Sequence, residues 1–236
     1  MIRNAIPNLL TLLNLLSGAV AGILALQENF KLAAILILAG AFFDFLDGFT
    51  ARLLKTTSPI GKQLDSLADL ITFGLSPALM LLAMLKQQWA GNVENLSLEN
   101  WLVFTPLLLV MFSALRLARF NIDDTQTKNF VGLPTPANAL FIVSLVFVLK
   151  SNPDWSSQLF VLPIIAFFSL LLIAPIPLMG LKELKGAMKV YLLILMIGSV
   201  IAVILFKFEA GVIIIPFYII LSGIKFTINK YKNNQI

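Results

Sequence analysis

Eight runs of mostly apolar residues follow one another along the chain, near 5–26, 32–54, 60–85, 101–120, 134–150, 158–175, 188–206 and 210–228. Coiled as α-helices, runs of about 20 residues match the thickness of bilayer hydrocarbon. The two-residue alternation of a barrel strand is absent, and barrels do not carry unbroken apolar stretches of this length. The pattern predicts an all-α polytopic membrane protein, a bundle of about eight transmembrane helices. The connectors are short, so residues 1–236 read as a single domain. Arg3 ahead of the first run, with Ala19-Val20-Ala21 further on, has the look of a secretory leader. The run exceeds the roughly 7–15 residues of a leader core and contains Asn8, Thr11 and Asn14, so a retained first helix is expected.

Composition sharpens this picture. The chain is 59% hydrophobic and 12% charged, with a mean hydropathy of +0.94; soluble domains carry about 25% charged residues. Cys and His are both absent. That excludes disulfides, thiol nucleophiles, imidazole bases and Cys- or His-ligated zinc. A metal must be held by oxygen, which points to a hard cation such as Mg²⁺, Mn²⁺ or Ca²⁺. The net charge of +5 reads as orientation signal and anionic-lipid contact, not nucleic-acid binding. One side of the bundle would carry Arg3, Arg52, Lys55, Lys62, Arg116, Arg119, Lys128, Lys182, Lys185, Lys189, Lys225, Lys230 and Lys232. The other would carry Lys31, Lys86, Lys150 and Lys207. The bias places both termini in the cytoplasm. Trp89, Trp101 and Trp155 fall on the poorly charged side, as an interfacial belt would.

Four carboxylates break the apolar pattern: Asp44, Asp47, Asp65 and Asp69. A carboxylate at a helix centre costs about 2.5–3.5 kcal/mol on insertion scales. Asp44 and Asp47 share one helix face by their spacing, and so do Asp65 and Asp69. Counting from the turn near Ser58 puts Asp47 and Asp69 at similar depth, about 16 Å in at 1.5 Å per residue. If the faces meet, four carboxylates converge, and they could not all be ionised without one or two divalent cations. Ser58-Pro59 reads as a helix N-cap with Pro at the first helical position, and Gly61 leaves the first turn open to close approach. Arg52, Lys55 and Lys62 surround this turn, which suits a phosphate. Asp123, Asp124 and Glu183 read as solvated loop charges. Asn14, Thr135 and Asn138 fit either pocket polar groups or hydrogen bonds between helices.

Residues 44–69 read Asp-x-x-Asp-Gly-x-x-Ala-Arg, eight residues, then Gly-x-x-x-Asp-x-x-x-Asp. This resembles, without a departure, the motif of the CDP-alcohol phosphatidyltransferase family. Phe73-Gly74-Leu75-Ser76-Pro77-Ala78, Arg116-Leu117-Ala118-Arg119-Phe120-Asn121 and Gly132-Leu133-Pro134-Thr135-Pro136-Ala137 are similar to its phosphatidylserine synthase branch. The resemblance runs over roughly residues 5–140; the last three apolar runs carry nothing diagnostic.

The resemblance implies transfer of a phosphatidyl group from CDP-diacylglycerol to the hydroxyl of L-serine, giving phosphatidylserine and CMP. It implies that Asp44, Asp47, Asp65 and Asp69 hold metal and that Asp69 is also the general base. It implies a nucleotide-lipid site at Asn8, Thr11, Gly48, Ala51, Arg52, Ser58, Gly61 and Lys62, and a homodimer. A hydroxyl needs a base within reach, and in a motif without His, Cys or an intramembrane Lys a carboxylate is the available one. For the serine carboxylate, Arg119 with Arg116 or Asn121 is the expected grip. Three rivals stay open: another acceptor such as glycerol 3-phosphate or inositol phosphate, a donor with ether-linked tails, and a divalent-cation path in a transporter. The pattern suits a prokaryotic inner membrane with the site facing the cytoplasm.

Overall fold

The computed structural model describes residues 2–56, 58–89, 101–122, 130–178 and 188–233. Asp123, Asp124 and Glu183 lie outside the described residues. Each of the eight apolar runs is helical where described. Helices α1 (Ile2–Leu26), α2 (Phe30–Leu53), α3 (Pro59–Asp69) and α4 (Ser76–Trp89) are followed by α5 (Leu107–Ile122), α6 (Thr135–Ser151), α7 (Gln158–Ile173), α8 (Met188–Phe206) and α9 (Gly211–Asn233). Among the described residues, five apolar helical stretches are long enough to cross a membrane: Ala5–Leu26, Phe30–Leu53, Pro59–Trp89, Leu102–Ile122 and Tyr191–Glu209. The apolar helices Thr135–Ser151, Gln158–Ile173 and Gly211–Thr227 are shorter.

Two departures from the all-helical expectation are local. Phe130–Val131 and Pro177–Leu178 form a two-residue antiparallel ladder, pairing Phe130 with Leu178 and Val131 with Pro177. Such a ladder has no alternating hydrophobic pattern to announce it, because it is made by two connectors meeting. Gly132, at φ 78°, and Leu133 extend it by donating their N–H groups to the Ile176 and Leu171 carbonyls. The stretch from Pro59 to Trp89 also changes pitch. Residues Leu70–Leu75 form a π-helical turn between α3 and α4. Pro77 supplies the reason: it has no N–H, and its ring would crowd the Phe73 carbonyl in a regular helix. A wide turn before it relieves that conflict.

Helix α1 is the organising element. It packs along α2 and along α3, whereas α2 and α3 touch each other little. Ala21, Ala25, Ala33 and Ala34 are fully buried between α1 and its neighbours. Small side chains let helix backbones approach in lipid, where dispersion contacts replace the hydrophobic drive. Gly18 and Gly40 admit Thr72 of the π turn; a Cβ on Gly40 would sit 2.5 Å from Thr72 Cγ2 and 2.9 Å from Asn14 Oδ1. The Thr72 hydroxyl donates to the Asn14 carbonyl at 2.9 Å and the Ser76 hydroxyl to the Gly18 carbonyl at 2.7 Å. The π turn is thereby stitched to α1 immediately after Asp69.

At one end of the bundle, Trp89 Nε1 donates to the Ser156 carbonyl, Ser151 donates to Glu209 at 2.6 Å, and Lys150 stands 5.4 Å from the Phe30 ring centre. Trp101 and Trp155 are more than half exposed there. The carboxylates lie toward the opposite end, which also carries Arg52, Lys55, Lys62 and Arg119.

Candidate active site

The chain leaves α2 through Lys55, whose φ of 49° ends the helix, and re-enters a helix at Ser58. The Ser58 hydroxyl accepts from the Gly61 N–H at 2.9 Å, with Pro59 at the first helical position. The N-cap expected from Ser58-Pro59 is therefore made within the chain. The capped first turn lines a cavity of about 510 Å³. Asn8, Thr11, Gly48, Ala51, Ser58, Gly61 and Lys62 line it together with Asp47 and Asp65. Arg52 is exposed and does not line it. Pro7, Pro59 and Thr56 complete the wall. Thr56 had no mark in the sequence, being a common residue in a connector.

Asp44, Asp47 and Asp65 each present an oxygen within 4.8 Å of the other two. Counting from the loop centre puts Asp47 level with Asp69; in the structure it is Asp65 that joins Asp44 and Asp47 in the cluster. Asp47 and Asp65 lie equally far from the ends of their helices at the turn. Asp69 lies a turn deeper and is held from α1, where Asn14 Nδ2 approaches its Oδ1 at 3.4 Å. Thr11, also on α1, donates toward Asp47 Oδ2 at 2.5 Å. Asn14 was left open by the sequence; it stands one turn beyond Thr11 on the same face and is fully buried.

The donor set suits a hard divalent cation. All its atoms are carboxylate oxygens, and Asp65 Oδ1 is buried without a hydrogen-bond partner. Three carboxylates so close in a medium of low dielectric repel one another strongly, and a cation would reverse that. Gly48 gives a second indication. Glycine inside a helix is roughly 0.5–1 kcal/mol worse than alanine, yet a Cβ here would meet only Arg52 Nη1, at 3.8 Å. Among the described residues no packing demands the glycine; the room it leaves belongs to the cavity.

The acceptor residues divide. Arg116 is buried, within electrostatic reach of Asp69 on one side and Tyr218 on the other. Arg119 is exposed. Asn121 clamps α5 to α3: its side chain donates to Ser66 Oγ at 2.9 Å, and its carbonyl accepts from Lys62 Nζ at 2.8 Å.

Fold and site define a helical membrane protein in which three clustered carboxylates, a donor set able to hold a divalent cation, adjoin a cavity at the start of α3. The description CDP-alcohol phosphatidyltransferase matches residues 4–216, and the chain belongs to that family. It is 32% identical over 205 residues to a CDP-diacylglycerol–serine O-phosphatidyltransferase of Helicobacter pylori, covering 84% of this chain and 81% of that one. It is 35% identical over 181 residues to the Mycobacterium bovis protein of the same name, covering 73% of this chain and 60% of that one. It is 36% identical over 144 residues to an archaetidylserine synthase of Methanothermobacter thermautotrophicus, covering 59% of this chain and 57% of that one.

Proposed function

We propose that this protein transfers the phosphatidyl group of CDP-diacylglycerol to the hydroxyl of L-serine, releasing CMP. The observation that carries the reading is the cluster of Asp44, Asp47 and Asp65, two members of which, Asp47 and Asp65, line a cavity that also takes in the N-capped start of α3. Family membership supplies the reaction class, and the names of the relatives support serine as acceptor.

In this reading the serine hydroxyl oxygen attacks the phosphorus that bears diacylglycerol. The bond from that phosphorus to the bridging oxygen breaks, and CMP leaves with the electron pair. Asp69 takes the hydroxyl proton, and Asn14 orients its carboxylate. Asp44, Asp47 and Asp65 hold the divalent metal, Mg²⁺ or Mn²⁺, with Asp69 adjoining. When bound, the metal neutralises the diphosphate and stabilises charge developing toward CMP. Gly48 and Ala51 let the nucleotide lie against α2, the first turn of α3 faces its phosphates, and Lys62 adds positive charge. Arg52 acts from the rim. A site inside the bundle suits a substrate whose tails remain in lipid.

We further read residues 1–236 as one domain with eight spans and both termini in the cytoplasm, acting as a homodimer in a prokaryotic inner membrane. The distribution of basic residues supports a site facing the cytoplasm.

The test is CMP release by the purified protein in detergent with CDP-diacylglycerol and Mn²⁺ or Mg²⁺. L-serine is compared with glycerol 3-phosphate, inositol phosphate and no acceptor. Serine-dependent release is expected. Release with another alcohol alone would overturn the acceptor, and no release from metal-binding protein would favour a cation path.

Gly48→Ala separates stability from function. Open space for the Cβ predicts a helix up to about 1 kcal/mol more stable, seen as a higher Tm. The same methyl group occupies nucleotide space, so KM for CDP-diacylglycerol should rise roughly tenfold, the loss of about 1.4 kcal/mol of binding.

A further inference from the structure

A second cavity, of about 520 Å³, opens between α2 and the group formed by α6, α8 and α9. Ile37 and Leu38 of α2 form one wall, and Leu140 and Val143 of α6, Val203 of α8 and Ile214 of α9 form the others. Helix α2 packs closely on none of α6, α8 and α9, so the space separates two parts of the bundle. Leu38, Leu140 and Val203 are exposed, which opens it sideways to lipid. It shares no lining residue with the cavity beside Asp47 and Asp65. Apolar walls do not hold water, and a gap deprives the atoms lining it of dispersion partners. In a bilayer, hydrocarbon is what fills such a gap.

The depth of the cavity matches one leaflet. Lys207, on its wall, lies at the end of the bundle where Ser151 meets Glu209. Leu140 precedes Ser151 on α6 by enough residues to lie about 16 Å deeper, and Leu38 lies about 12 Å in from the start of α2. Half the hydrocarbon thickness is about 15 Å. A helix about 10 Å across would displace roughly 1,200 Å³ over that depth, more than twice the space. A helix of a second copy is therefore too thick, whereas a single acyl chain fits.

Charge at the mouth selects the lipid. The cavity has two polar side chains, Ser144 and Lys207. The Ser144 hydroxyl is engaged, accepting from the Gly211 N–H at 3.0 Å. Lys207 is exposed, and among the described residues its side chain has no ion pair and no hydrogen bond. Glu209, two residues on, accepts from Ser151 at 2.6 Å instead. Lys150 on the adjoining end of α6 adds a second cation, over the Phe30 ring at the start of α2. Lys207 also stands at φ 49°, where glycine would sit at less cost. An unpaired cation at headgroup depth, above an apolar slot, complements a phosphate that carries a chain.

We propose that this cavity binds one anionic phospholipid of the leaflet remote from the carboxylates, with an acyl chain between the helices and the headgroup phosphate at Lys207. The lipid takes the place of direct packing between α2 and the last two helices. The site is independent of the transfer reaction proposed above.

The experiment titrates phosphatidylglycerol or phosphatidylcholine with the same acyl chains into the delipidated full chain in neutral detergent, with Tm as the readout of binding. Wild type is expected to bind phosphatidylglycerol at least tenfold more tightly than phosphatidylcholine. Lys207→Gln should erase that preference by weakening phosphatidylglycerol alone, and Lys207→Arg should keep it. Val203→Trp, which puts a ring in the chain's place, should weaken both lipids at least fivefold. Should it not fold, Leu38→Trp fills the space from α2 with the same expectation. The KM for CDP-diacylglycerol should stay near wild type in every variant. Equal binding of the two lipids by wild type overturns the proposal, as does a preference that survives Lys207→Gln. A raised KM for CDP-diacylglycerol in Val203→Trp would give the cavity to the substrate's own tail. A changed oligomeric mass in that variant, with lipid binding intact, would make it a face between copies. The titration needs no turnover, so its outcomes read the same if the transfer reading fails.

Discussion

Asp69→Asn is expected to lower kcat for serine-dependent CMP release by about 10²–10⁴, the usual contribution of a positioned general base. The substitution keeps the side chain's shape and a polar partner for Asn14, which approaches Asp69 at 3.4 Å. Asp69 stands apart from the three carboxylates that gather within 4.8 Å. Metal-dependent thermal stabilisation should therefore survive. A variant that loses activity and metal-induced stabilisation together would make Asp69 a principal ligand instead. One that keeps wild-type kcat would remove it from proton transfer.

Asp65→Asn should behave in the opposite way. Asp65 shares the cluster with Asp44 and Asp47, and its Oδ1 lacks a hydrogen-bond partner among the described residues. A ligand at a hundred times its Kd stabilises the folded state by about 2.7 kcal/mol. With Mn²⁺ in that excess, wild type should melt higher than in chelator by a corresponding margin, and Asp65→Asn should lose the shift along with activity. In chelator the order reverses: removing one of three mutually repelling carboxylates should raise the variant's Tm above wild type. Melting curves with and without metal check both signs. A variant less stable than wild type in chelator would show that Asp65 supports the fold independently of a cation.

Much of this site was legible in the chain. Helical spacing by itself pairs Asp44 with Asp47 and Asp65 with Asp69, and Ser58-Pro59 announces the N-cap observed at Gly61. Asn8, Thr11, Gly48, Ala51, Ser58, Gly61 and Lys62, grouped by the resemblance, line one cavity. Arg52, which the resemblance places at the nucleotide lipid, and Arg119, the expected grip on the serine carboxylate, both have exposed side chains. Charge states what a residue can bind; the direction in which its helix face points is set elsewhere.

The apolar periodicity determined a helical membrane protein, and the spacing of four aspartates determined which carboxylates share a face, because both depend on geometry within one helix. The tertiary structure alone decided that α1 packs along both α2 and α3, that Asp65 joins Asp44 and Asp47, and that a π turn before Pro77 follows Asp69. It also decided that Lys207 stands on the wall of a cavity between α2 and the last two helices. In lipid every helix is apolar to its neighbours, so hydrophobicity cannot say which helices meet. Close approach at small residues such as Gly18 and Gly40, and a few buried polar contacts, make that choice.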